Sequence, residues 1–357
     1  MNISNKLKDQ LLREGWSLLQ RLDAAPPDFL ASTILLESWC QVVAPDRPSN
    51  FDKRLRWDGL SADRAAWALD PPEDATPQNP DWWPLLEAMR KAARDSADDS
   101  LYRQLADRGN KLAFVHVWRP VAAWALETLR FRCADLQHQL QLSDAAWLDL
   151  GEALLNRLCS TADQVLRELF NQRRTPGQML LAHLGVNGDG SGEPVREAYN
   201  AFVVELLSTG YELLLTNYPV LGRLLATITQ LWLEGMPEML QRVAQSRLQL
   251  QQVFSISLEA VLQKVQLGLS DPHRGGRAVA ILTFGGIDDF IKVVYKPKDM
   301  RVDVTYQQYL KIINNASALE PLRCLNIFNG DGYGFMEWVE HCQCSTDEML
   351  ARFYMNA

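Results

Sequence analysis

Near Ser255 this 357-residue chain changes its hydrophobic period, and that change limits the folds open to it. Upstream, apolar residues recur at helical spacing: Leu7, Leu11, Leu12, Leu18, Leu19 and Leu22 lie close to a 3.6-residue repeat. The run from Ala201 to Leu250 is strongly apolar along one helical face. Downstream, Val265, Leu267 and Leu269 alternate with polar or small residues. Ala278–Phe284 is nearly continuous apolar, and Phe290–Pro297 is rich in β-branched and aromatic residues. Leu322–Phe328 and Tyr333–Val339 flank Asn329-Gly330-Asp331-Gly332, whose residue types tolerate the positive φ of a hairpin turn. Between these strand pairs, residues 303–315 place Tyr306, Tyr309, Leu310 and Ile313 on one helical face. The expected fold is α+β. A large, mostly helical region spans 1–255. Residues 256–357 then read as three strands, a helix, two strands and a final helix, forming a small antiparallel sheet.

Within the helical region, breakers mark the joints. The Ala-Pro-Pro stretch in Asp23–Asp28 ends the first helix, and the Pro- and Asp-rich residues 69–84 form a loop or subdomain edge. A helical block from about Trp83 to Thr175 follows, with Asp144 as a candidate cap. Residues 185–194, GVNGDGSGEP, read as a surface loop and not as a calcium site, because carboxylates are too few. Pro219 is expected to end or kink a helix. Ser345 and Glu348 have capping-box spacing at the start of the last helix. That helix reaches Ala357 with no glycine, proline or basic closing turn, so the chain reads as truncated at its C-terminus.

Composition narrows the function classes. With 47% hydrophobic and 22% charged residues, the balance is that of a globular protein. A formal charge of −8 and a pI near 5.3 argue against a general nucleic-acid binder. Six scattered cysteines do not make a disulfide framework, no secretory signal is visible, and no apolar run approaches the roughly 20 residues of a membrane span. A cytoplasmic protein is the expectation.

The chemistry-bearing stretch is 268–298, GLSDPHRGGRAVAILTFGGIDDFIKVVYKPK. At Gly275 and Gly276 the backbone N–H groups can approach a phosphate without obstruction by Cβ. Lys296 closes the third strand, where a kinase N-lobe holds the lysine that binds nucleotide phosphates. Strand parity puts Lys292, Val294 and Lys296 on one face and Ile291, Val293 and Tyr295 on the other. Lys296 then points to phosphate while Val294 covers the base. The structural alternative is an antiparallel sheet with a solvated edge lysine. Asp271 likewise has a structural reading, as a cap of turn N–H groups beside Pro272. Arg274 and Arg277 flank the glycines and are expected to be solvated. His341, Cys342 and Cys344 crowd together, but three ligands fall short of a zinc set, so no metal site is expected.

Three segments together, SDPHRGGRAV, VVYKPK with the following DMRVDVTYQQYL, and DGYGFMEWVEHCQCSTDEMLARFY, resemble the dehydratase region of class II lanthipeptide synthetases of the LanM type. The helical segment REAYNAFVVELL…NYPVLGRLL…W…RLQL is similar to the block preceding it, so the resemblance spans roughly residues 110–357. It implies a kinase-like dehydratase fold related to lipid kinases, using ATP and Mg²⁺. Such enzymes phosphorylate Ser and Thr of a ribosomal precursor peptide, which consists of a leader and a core, and then eliminate phosphate to give dehydroamino acids. A separate zinc cyclase domain completes the rings. By this resemblance Asp271 and His273 belong to the active site, in roles the sequence does not divide between them. Lys296 is the phosphate lysine, with Lys298 a second basic position; Gly275, Gly276 and Val294 line the nucleotide. Residues 303–315 contain no glutamate, so the kinase lysine–glutamate pair is expected to be missing there. The remaining catalytic-loop and metal-binding residues would lie beyond Ala357. The expectation is therefore the N-terminal part of a dehydratase domain, inactive alone and with weak or absent ATP binding. The alternative is a non-catalytic peptide-binding or regulatory remnant.

Overall fold

A computed structural model describes residues 5–25, 33–71, 80–95, 100–108, 112–174, 192–269, 275–285, 290–316 and 321–356. In chain order, the first helices are α1 (Asn5–Glu14), α2 (Leu18–Ala24), α3 (Ile34–Val43), α4 (Pro48–Trp57), α5 (Ala62–Leu69) and α6 (Trp83–Arg94). They are followed by α7 (Ser100–Arg108), α8 (Val115–Arg132), a 3₁₀ turn at Ala134–His138, α9 (Asp144–Gln172), α10 (Gly192–Ser208) and α11 (Glu212–Asn217). Then come α12 (Pro219–Gln245), α13 (Arg247–Phe254) and the strands β1 (Val261–Gln266), β2 (Ala280–Gly285) and β3 (Phe290–Lys296). The chain closes with α14 (Arg301–Ala316), β4 (Ile327–Asn329), β5 (Gly334–Glu337) and α15 (Asp347–Asn356). The protein is thus mostly helical with one small antiparallel sheet, in the order expected after Ser255. No described helix is long and apolar enough to cross a membrane.

Two compact units divide the chain: residues 1–95 with 164–227, and residues 96–163 with 228–357. In the first, α3, α4 and α5 enclose a cluster of Leu36, Phe51, Leu55, Ala65 and Ala66, with Trp39 packed edge-on to Phe51. Trp16 meets Trp67 in the same geometry. Arg90 of α6 is buried; its Nε donates to the Gly210 carbonyl at 2.8 Å and its Nη1 pairs with Glu87 at 3.0 Å. Burial of a guanidinium is tolerable only with such partners.

The second unit holds the sheet, with strand order β1-β2-β3-β5-β4. β2 pairs β3 from Ala280↔Tyr295 to Gly285↔Phe290, and β3 pairs β5 from Val293↔Glu337 to Lys296↔Gly334. One face is fully packed: Leu262, Val265, Leu282, Phe284, Val293, Tyr295 and Phe335 are all buried. Arg247 of α13 lies over the Phe284 ring and donates to the carbonyls of Ser257, Leu258 and Ala260, which staples the loop entering β1. The outer edge of β1 is covered by the start of α9. Leu142 bridges Leu262, the Ser143 hydroxyl donates to the Gln263 carbonyl, and Asp149 Oδ2 accepts from the Val265 N–H at 2.9 Å. Asp149 is itself held by Arg108.

Several local expectations shift by one position. The cap of α9 is Ser143, whose hydroxyl accepts from the Ala146 N–H, and not Asp144. The last helix is capped by Thr346, which accepts from the Met349 N–H, and not by a Ser345–Glu348 box. Pro219 ends nothing internally; it opens α12, where its missing N–H costs nothing. Pro237 sits inside α12, and the Leu233 carbonyl it leaves without a helical donor accepts from Arg132 Nη1 at 2.9 Å. The predicted block Trp83–Thr175 is divided into α6, α7, α8 and α9. The predicted loop at 185–194 lies outside the described residues, apart from its last three positions, which open α10.

Candidate functional site

The open face of the sheet collects the groups that sequence parity puts together. Register sets Thr283 opposite Lys292, Ile281 and Met336 opposite Val294, and Gly334 opposite Lys296. Directly paired residues share a face, so Ile281, Val294 and Met336 form an apolar strip along it. Ile281 and Val294 are buried, and Met336 is half-buried. Just past β5, Trp338 is half-buried with Lys292 5.8 Å above its ring; its indole N–H is shielded from solvent without a hydrogen-bond partner.

Lys296 stands at the end of this strip, its side chain 19% exposed. Its ammonium lies 3.7 Å from Asp303 Oδ1 and 3.8 Å from the Met336 sulfur. Lys298 reaches the other oxygen of the same carboxylate at 3.1 Å. Two cations therefore share one anion, and the cluster keeps a net positive charge facing the open side. In place of the missing glutamate this helix supplies an aspartate: α14 begins at Arg301, and Asp303 in its first turn pairs with Lys296. A shorter aspartate suffices there because the helix start lies close to the lysine. That position is fixed from the hairpin, since Asn329 Oδ1 accepts from the Met300 N–H at 2.6 Å. Gly334 is required beneath it, because a Cβ there would meet Met300 Cγ at 2.5 Å.

The glycine turn is held on the packed side. Gly275 and Gly276 have φ of +77° and +86°, a region that favours glycine. A Cβ on Gly276 would also come within 2.8 Å of Leu231 Cβ on α12. Arg277, expected in solvent, is instead bonded through Nε to Glu238 Oε2 at 2.8 Å. Glu238 also pairs with Arg242 at 2.7 Å, and the Arg277 hydrogen bond, ahead of burial, draws its carboxyl below the ordinary range. Arg242 in turn donates to the Tyr295 hydroxyl at 2.9 Å and lies 4.9 Å from the Tyr333 ring centre.

Asp271, His273 and Arg274 lie outside the described residues. Of the predicted site, the structure brings Val294 and Lys296 onto one face and describes Gly275 and Gly276 in a turn seated on α12. Sequence reading missed Asp303, Met336, Trp338 and Glu238. Parity alone would have found Met336 and Trp338 alongside Gly334. Asp303 needed a search for either carboxylate in the first turn of α14. Glu238, 39 positions before Arg277, leaves no local signal. His341, Cys342 and Cys344 are exposed in the segment after β5.

Residues 218–357 match the family described as Domain of unknown function (DUF4135), a domain found in lanthipeptide synthetases of the LanM type. Comparison with curated proteins gives no match.

Proposed function

We propose that residues 256–357 form the N-terminal, kinase-like lobe of a lanthipeptide dehydratase, with residues 1–255 as its helical region. One observation carries the reading: the segment matching DUF4135 is the one that gathers Lys296, Lys298 and Asp303 at the end of an apolar strip. The residues fit ATP. An adenine ring suits the flat apolar bed of Ile281, Val294 and Met336. The lysine pair offers fixed positive charge to phosphates, and phosphoryl transfer is largely positioning and charge neutralisation. Asp303 holds Lys296 extended and so spares the ordering of a flexible side chain on binding. When bound, ATP supplies the phosphoryl group for Ser and Thr of a precursor peptide, and elimination of that phosphate gives the dehydroamino acid. Asp271 and His273 remain the candidates for proton transfer.

The test uses the full reading frame with ATP, Mg²⁺ and a Ser/Thr/Cys-containing precursor. Phosphopeptide, and then, after phosphate is expelled, a product one water lighter than the precursor, is expected from the native protein, with neither in Lys296→Ala. Phosphorylation unchanged in Lys296→Ala would remove the lysine from the mechanism. Precursor binding without any phosphoryl transfer would favour a peptide-binding or regulatory role.

A further inference from the structure

One stripe of α12 touches every part of the candidate site that lies on the packed side. Leu231, Gly235, Glu238 and Arg242 of α12, with Ser246 just past its end, follow each other at spacings of four and three residues, the repeat that keeps side chains on one helical face. Leu231 is the surface against which Gly276 is seated. Arg277 passes beside Gly235, its Cγ 3.9 Å from where a Cβ on that glycine would stand, an ordinary contact distance. Glu238 binds Arg277 through one carboxylate oxygen and Arg242 through the other. Arg242 reaches Tyr295, the neighbour of Lys296 on β3, and Ser246 shares a hydrogen bond of 2.9 Å with the Tyr333 hydroxyl in the β4–β5 hairpin. The glycine turn, the lysine strand and the hairpin are otherwise separate in sequence.

We infer that Glu238 is a positioning residue: by clamping Arg277 while Arg242 holds Tyr295, it ties the glycine turn to the strand that ends in Lys296, so that the turn's N–H groups are preorganised for phosphate. This rests on the nucleotide reading above. The geometry favours such a role over plain packing, because Glu238 holds Arg277 of the turn through one oxygen and, through the other, its helix neighbour Arg242, whose guanidinium reaches Tyr295 on the lysine strand. A carboxylate serving stability alone has no need to join the turn to the strand. Preorganised donors give binding without reorganisation when the ligand arrives.

The test has two arms. In the nucleotide-free protein, hydrogen exchange of residues 275–279 is compared between native protein and Glu238→Gln. The clamp predicts roughly tenfold faster exchange in the turn, since a charge-assisted hydrogen bond is lost. Exchange in β1 and β3 should stay unchanged. No change in the turn, or equal loosening of the whole sheet, would overturn the inference. In the second arm ATP is titrated into native protein, Glu238→Gln, Arg277→Lys and the double variant. Each single variant should bind roughly tenfold more weakly, and the double variant no more weakly than either, the mark of one shared interaction. Native binding with Glu238→Gln unaffected would sink the clamp and spare the nucleotide reading. If the native protein binds no ATP while the turn still loosens in the first arm, the nucleotide reading falls and takes the positioning role with it.

Discussion

The two faces of the five-stranded sheet are built from alternate residues of the same strands, yet they do opposite things. On one, Leu282, Phe284, Val293, Tyr295 and Phe335 are almost wholly buried, with Arg242 and Arg247 from the adjoining helices touching Tyr295 and Phe284. On the other, Thr283, Lys292, Lys296, Met336 and Trp338 keep part or most of their surface in solvent. The first face has committed its contacts to holding the fold. The second leaves Lys292, Lys296, Met336 and Trp338 partly uncovered around the buried Ile281 and Val294, which costs packing. Substitutions one residue apart along β3 should therefore fail in different ways.

The largest contrast is expected at Lys296. In a full-length version, Lys296→Ala should abolish ADP formation and precursor phosphorylation while shifting stability by about 1 kcal/mol or less. A fall in thermal midpoint as large as that of a core variant would erase the distinction between the faces. Leu282→Ala, its counterpart on the packed side, should cost about 2–5 kcal/mol in a denaturant titration, with ATP affinity unchanged in the protein that remains folded. Gly276→Ala stands between these cases. Its φ of +86° and the approach to Leu231 predict about 1–3 kcal/mol of destabilisation together with weaker nucleotide binding. Asp303→Asn should weaken ATP binding severalfold, on the order of 1 kcal/mol for a partly exposed pair, and Asp303→Glu should recover part of it.

The smallest effect belongs to the interior thiols of the same unit. Burial pushes Cys133 up to about 11 and Cys159 up to about 12, from 9.0. In the unfolded chain both ionise near 9, so their contribution to stability is complete below that pH and declines as pH rises toward the folded values. A loss on the order of 1 kcal/mol per thiol is expected by pH 10, read as a lower thermal midpoint than at pH 8. At pH 8 a thiol reagent should label exposed Cys342 and Cys344 quickly and leave Cys133 and Cys159 untouched until unfolding.

Element order after Ser255 was legible because two local signals agree there: a period of two in the strands and an Asn-Gly-Asp-Gly turn that only a hairpin uses well. The parity of β3 was legible for the same reason. Caps were misread by one residue at α9 and α15, where Ser143 and Asp144, or Ser345 and Thr346, are both competent and the choice depends on where the helix meets its neighbours. Pro219 was misread as a break because a proline that opens a helix and one that interrupts it look alike within a continuous apolar run. The carboxylate beside Lys296 was missed because helix position, not residue type, decides which acid reaches the lysine. Glu238 and its arginines were invisible, since only the folded chain brings α12 to the glycine turn.

Asp149 has a consequence for how the molecule behaves in a crowded solution. A five-stranded sheet ends in a strand with unused hydrogen-bonding groups, and such borders recruit strands from other chains. Here a carboxylate stands on the border at Val265, and its negative charge would face the backbone carbonyls of any incoming strand. The protein thus carries its own stopper against sheet extension. Asp149→Ala, which frees that N–H, should raise the tendency of the folded chain to self-associate before it lowers its stability.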